Sequence, residues 1–358
     1  MTNKDITKIY FQGNEIVALY QGSTLIFKKS GSVVPPSPKP TGTYIVRGTL
    51  KPDSRERNIQ LCVNGKREQF DVNNDKTFEY TFTNVPVTNM DNFTLQCKDE
   101  LKTLDLSDLD TSQVTSMNEL FYQCSNLESL DISNLDTSNI TNTSWLFSGC
   151  SSLQTLDLSS LDTSKVTNMS YMFQNCSSLQ TLDLSSLDTS KVTNMFMLFY
   201  GCKKLETLDL SNFNTSNVTN MRNMFQSCSS LQTLDLSSLD TSKVTVMSGM
   251  FLACENLINL YINMDVSSID GEQYGAFDFT VFQRDYKLTN VVGKFEGTKY
   301  DLDLEYCPLT AASAMVFING LATVTEKRTL KLSATTYDSL TKEQIAIATS
   351  KGWTVTRE

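Results

Sequence analysis

The stretch SSLQTLDLSSLDTSKVTNMSYMFQNC, residues 151–176, decides the fold. Its opening, SSLQTLDLSSLDTSKVTNM, recurs unchanged at 177–195, and the same beat runs on both sides of it. Cysteine returns every 26 residues, at Cys124, Cys150, Cys176, Cys202, Cys228 and Cys254. Phenylalanine stands three residues before each of them, from Phe121 and Phe147 through Phe173, Phe199 and Phe225 to Phe251. An L-D-[LI] triplet keeps step, starting at Leu104, Leu130, Leu156, Leu182, Leu208 and Leu234. A period of this length held without slippage is the signature of a solenoid.

One unit reads as a strand, a turn and a short helix. In Leu156-Asp157-Leu158 the two leucines share one face and the aspartate the other. Apolar residues then fall at Met169, Met172, Phe173 and Cys176, one face of a helix with Thr167 as its N-cap. Stacked coils would line leucine inside and aspartate outside. The expected fold is an α/β repeat solenoid of leucine-rich-repeat type, one strand and one short helix per 26-residue coil, preceded by small all-β modules.

Outward from the repeats, 99–264, the chain divides by composition. Residues 1–28 hold short apolar runs broken by Gly-Asn and Gly-Ser, a small β anchoring module too small to stand alone. Residues 29–42 are a Pro/Ser/Gly linker of semi-extended, spacer type. Residues 43–98 carry β-forming runs and the hairpin signal Asn64-Gly65, a small β-sandwich-like or capping domain. Residues 265–358 read as irregular repeats closed by a C-terminal cap.

Bulk composition narrows the chemistry. With 40 acids against 30 bases and a net charge of −10, the chain is a poor ligand for nucleic acid. No run approaches a membrane span. The chain has no histidine, which removes the commonest general base, the histidine-dependent nucleophile systems and every His-ligated metal. With no C-x-x-C pair either, no metal, cofactor or catalytic residue is assigned. The 9 cysteines are odd in number and six share one core column, so they read as buried free thiols. Asp110, Asp136, Asp162, Asp188 and Asp240, with Asn214 in register, open D-T-S turns; backbone capping is expected there, with calcium binding as the alternative. The N-x-[ST] triplets, such as Asn92-Phe-Thr and Asn168-Met-Ser, are expected by chance in so Asn/Ser/Thr-rich a chain.

The unit LDLSSLDTSKVTNMSYMFQNCSSLQT resembles the BspA-like class of leucine-rich repeats, the 26-residue bacterial surface-protein repeat, over residues 99–262. Segments similar to Cys307-Pro308-Leu309-Thr310 and Ile345–Trp353 follow such repeats in bacteriophage and gut-bacterial proteins. The resemblance implies attachment: surface adhesins, or structural and host-contact proteins of phages. The opening MTNKDITKIYFQGNE lacks the pattern of a secretory signal, which favours a virion component over a bacterial cell-surface adhesin.

Within the repeats, one set of outward positions departs from small polar residues: Tyr122, Trp145, Tyr171, Phe196, Met197 and Tyr200, with Leu252 further on. Such a patch is either a recognition surface for a host-cell glycan or protein, or a packing surface against the β domain, the C-terminal region or another subunit. The expected function is a non-enzymatic attachment protein of a phage virion. The N-terminal module would join other virion proteins, and the chain could form a homo-oligomer. The alternatives are a purely structural decoration or assembly protein and a bacterial adhesin.

Overall fold

The computed structural model describes residues 43–83, 87–94, 98–269 and 287–358, together with three strands nearer the N-terminus. The linker 29–42 and Cys97 lie outside the described residues. Lys8–Gln12, Glu15–Gln21 and Thr24–Lys28 form an antiparallel three-stranded sheet. In the next region the Asn-Gly signal closes a hairpin, Asn58–Val63 with Lys66–Asp71. Asn64 and Gly65 hold φ of 51° and 74°, the left-handed pair that a two-residue hairpin turn requires.

The β domain caps the solenoid by continuing its sheet. Thr43–Leu50 pairs antiparallel with Thr77–Thr83 on one side and with Leu101–Asp105 on the other. Leu101–Asp105 pairs in parallel with Ser129–Asp131 of the next coil. At the far end Thr233–Leu236, Asn259–Asp265 and Asn290–Glu296 form a parallel sheet. Leu302–Leu304, Arg328–Leu332 and Trp353–Arg357 form another, with helices Ala311–Gly320, Ala334–Asp338 and Lys342–Ser350 between them. Strand-plus-helix coils are thus confined to this C-terminal region among the described residues.

The 26-residue coils contain no α-helix, which corrects the expected one helix per coil. Met169, Tyr171, Phe173 and Asn175 send their N–H groups to Asn194, Phe196, Leu198 and Tyr200 of the next coil, at 2.6–3.0 Å. The residues that follow Tyr171, Phe173 and Asn175, namely Met172, Gln174 and Cys176, donate back three residues, to Met169, Tyr171 and Phe173. The result is a ribbon of overlapping turns, tied to its neighbour at every second residue. A helix would spend those N–H groups on its own carbonyls and leave the coils unlinked. Met169, Met172, Phe173 and Cys176 still all point inward, because the ribbon places its apolar residues at the same spacing as a helix. Thr167 bonds back to Thr141; the capping role passes to Asn168, whose Oδ1 accepts the Ser170 N–H at 3.0 Å.

The strand ladder is likewise shorter than expected. The central triplets at Leu156, Leu182 and Leu208 are extended but form no ladder. In each the aspartate caps the turn that follows: Asp157, Asp183 and Asp209 accept the N–H two residues on, all at 2.9 Å, as Asp131 and Asp235 do in the triplets that pair. The second aspartate column does the same, Asp162 to Ser164 and Asp188 to Ser190, so backbone capping accounts for it. Among the described residues no acidic or cysteine cluster is arranged to hold a metal ion.

Leucine, valine and methionine columns line the interior, and three further columns bond or stack from coil to coil. The phenylalanine rings stack from Phe121 to Phe251, with centroids 5.7–5.9 Å apart and planes within 14° of parallel. Each cysteine from Cys150 to Cys254 donates its Sγ–H to the phenylalanine carbonyl of the coil before, at 3.1–3.2 Å. Buried threonines bond across coils, as Thr163 Oγ1 to the Asp188 carbonyl at 2.9 Å. Cys62, Cys124, Cys150, Cys176, Cys202 and Cys228 are free thiols, and burial pushes the Cys124 and Cys202 thiols up to about 12. Iodoacetamide at pH 8 should therefore leave the column from Cys124 to Cys254 unmodified in the native protein while labelling half-buried Cys62. Mass spectrometry reads this directly, and native labelling of the column would contradict the packing.

The exposed aspartates give a second expected result. Bonds from the serine two residues on hold Asp131, Asp136, Asp183, Asp188 and Asp240 below the usual carboxylate range. A lowered folded pKa stabilises above the unfolded value, about 3.9, and the gain is lost as pH falls through the folded value. Urea midpoints should be level from pH 7 to about pH 5 and fall below about pH 4. A midpoint that rises on acidification would contradict this.

Candidate functional site: an aromatic ladder on the ribbon

The ribbon's turns impose a backbone condition every fourth residue. The second residue after the column Met117, Thr143, Met169, Met195, Met221 and Met247 takes a left-handed φ: Glu119 58°, Trp145 60°, Tyr171 62°, Met197 54°, Asn223 56° and Gly249 66°. So does the sixth: Gln123 57°, Gly149 79°, Asn175 56°, Gly201 72°, Ser227 63° and Ala253 61°. Glycine and asparagine hold this conformation cheaply, and they fill it at Gly249 and Asn223. A residue with a bulky side chain costs about 1–2 kcal/mol there. Trp145, Tyr171 and Met197 therefore stand where the backbone favours something smaller.

Their rings form a continuous ladder along the coils. The Trp145 and Tyr171 rings lie face to face, 3.6 Å between centroids with planes 16° apart. Tyr122 meets Trp145 at 5.4 Å and 88°, and Phe196 meets Tyr171 at 4.8 Å and 76°, both edge-on. A cation closes each end. Lys98 Nζ sits 5.4 Å from the Tyr122 centroid, and the Arg222 guanidinium 5.9 Å from that of Phe196. Lys98 also donates to Gln123 Oε1, and Gln123 Nε2 donates to the Tyr122 hydroxyl at 3.0 Å. Burial pushes the Tyr171 phenol up. Mutual packing leaves all four rings half-buried, not fully exposed.

Of the residues expected from sequence, Tyr122, Trp145, Tyr171 and Phe196 come together. Met197 follows Tyr171 in the same column and its sulfur accepts from Gln174 Nε2 at 3.9 Å. Tyr200 makes no ring contact among the described residues; its carbonyl takes the Asn175 N–H. Sequence reading missed Lys98 and Arg222. Arg222 stands one period after Phe196, so the register could have found it; nothing local marks Lys98. Beside the ladder runs a polar groove of about 380 Å³ lined by Gln123, Ser125, Gly149, Ser151, Asn175 and Ser177, with Asp99 and Lys203 at its ends.

The ribbon also begins earlier than the repeat pattern shows. Asn92 and Thr94 donate to the Asn118 and Leu120 carbonyls, Asn92 takes φ of 58°, and Asp91 Oδ1 accepts from Ser116 and from the Asn118 N–H. Residues 89–94 are thus a first ribbon stretch, out of step with the 26-residue count by one residue.

This start coincides with the start of a likeness to known proteins. Searches of curated proteins and of solved structures return no match. A family described as "Mycoplasma protein of unknown function, DUF285" matches residues 88–185 and 176–289, more than half of the chain, and begins where the ribbon does. The ribbon coils, with their buried phenylalanine and cysteine columns, lie within the matched region, and the chain belongs to that DUF285 family.

Proposed function

We propose that this is a non-enzymatic attachment protein which presents the aromatic ladder to a ligand on a host-cell surface. The observation that carries the reading is the ladder's placement. Trp145 and Tyr171 are kept at left-handed backbone positions that other coils give to Asn223 and Gly249. Folding alone does not ask for them, and aromatic side chains dominate binding hot spots. The lack of histidine fits a binding role more easily than a catalytic one. Among the described residues no helix is long and apolar enough to cross a membrane.

In the finer reading, the repeats are BspA-like and the protein is a phage virion component joined to other virion proteins through its N-terminal sheet. A bacterial cell-surface adhesin uses the same surface in another setting. A purely structural assembly role, with contact to further copies or to virion proteins, is favoured by a different observation. The outward aspartate column ends at Asp235, and the next two positions in register are Tyr261 and Val292, 36% and 46% exposed, beside Ile258 at 37%.

Depletion of the purified soluble protein by intact bacterial cells separates these readings. Attachment predicts saturable depletion. Assembly alone predicts none across a broad host panel, with tight binding to virion proteins instead.

A further inference from the structure

We infer that the ladder's ligand is an extended polypeptide of a surface protein, and not a glycan stacked on its rings. This deepens the attachment reading and rests on it.

The argument turns on which ring surfaces are left. Trp145 has Tyr171 stacked on one face. Tyr122 comes from the coil before and meets Trp145 at 5.4 Å with planes 88° apart. Tyr171 has Trp145 on one face and meets Phe196 at 4.8 Å with planes 76° apart. Tyr122 and Phe196 each hold a cation over the ring. The faces that Trp145 and Tyr171 turn to each other are thus closed to a ligand, and each outer ring already carries a cation. Sugars and nucleobases are gripped chiefly through such faces, where the ring quadrupole is negative.

What remains outward is of opposite character. Ring edges are positive. The Tyr122 and Tyr171 hydroxyls can donate, and Lys98 and Arg222 add full charges at the two ends. This surface complements acceptor-rich groups such as backbone carbonyls and carboxylates. The adjoining groove runs across the same coils and offers hydroxyl and amide side chains able to bond both the N–H and the C=O of a peptide backbone. Strand-like peptides are held in this manner elsewhere, by backbone bonds along a groove with side-chain pockets beside it. A polyanionic surface polymer satisfies the cations but is opposed by Asp99 and Glu119 close by, and by a net charge of −10 on the whole chain.

The test uses the full chain and intact cells that bind it. One aliquot of cells is shaved with protease, a second is oxidised with periodate to open sugar diols, and a third is untreated. The inference predicts that protease lowers binding by about tenfold or more while periodate leaves it within about twofold. Arg222→Gln should weaken binding to untreated cells several-fold, more so at low salt. Binding that survives protease overturns the inference, whether or not periodate abolishes it, as does binding lost to periodate. In either case attachment itself still stands. Absence of binding to untreated cells overturns both.

Discussion

Phe173→Ala should cost about 3–5 kcal/mol of folding stability. Phe173 is fully buried, with Phe147 and Phe199 stacked on its two sides at 5.8 and 5.7 Å. Removing the ring opens a cavity that neither neighbour can fill, since the backbone of each is fixed by bonds between coils such as Phe147 N–H to the Met172 carbonyl. A solenoid coil touches only the coils beside it, so this loss is not shared across a wide core. The substitution should also uncouple the two halves of the array. The two tryptophans report this separately, Trp145 one coil from the lesion and Trp353 on the last strand. Urea titration should lower the Trp145 transition first and split it from that of Trp353. A loss below about 1 kcal/mol with one shared transition would contradict a ladder that carries the fold.

The second large effect falls on binding. Trp145→Ala with Tyr171→Ala should lower affinity for cells by about 100-fold or more, since hot-spot aromatics are worth about 2 kcal/mol or more each. The same pair should change stability far less than Phe173→Ala. The rings are half-buried, and alanine sheds contact with a single stacked neighbour. Tyr200→Ala, outside the ladder, is expected to leave binding within about threefold, and equal losses at Tyr200 and Tyr171 would contradict the ladder as the site.

The period was fully legible, because six cysteines and six phenylalanines at constant spacing admit only a stacked array. The buried thiols and the aspartate turns were legible too, since both follow from residue type at a fixed place in a turn or core. The coil's far side was not. Met169, Met172, Phe173 and Cys176 point inward from a helix and from a ribbon of turns alike, so apolar spacing does not separate the two. The discriminating signal lay at Gly149, Gly201 and Gly249 and at Asn175 and Asn223, which favour left-handed backbone and stop a helix. The aromatic cluster could be read as a set of outward positions. Its ring geometry could not, because only Trp145 and Tyr171 share a column, and Tyr122 and Phe196 reach them from other columns through the ribbon's turns.

The most direct measurement pairs unfolding and cell binding on one variant, Trp145→Asn/Tyr171→Asn. Asparagine holds the left-handed φ at Asn223 of the same column, so the backbone is served while the rings are removed. If the aromatics are there for recognition, the variant keeps its urea midpoint within about 1 kcal/mol of wild type and loses saturable binding to intact cells. A folded variant that binds as wild type does would contradict the account and move the site off the ribbon.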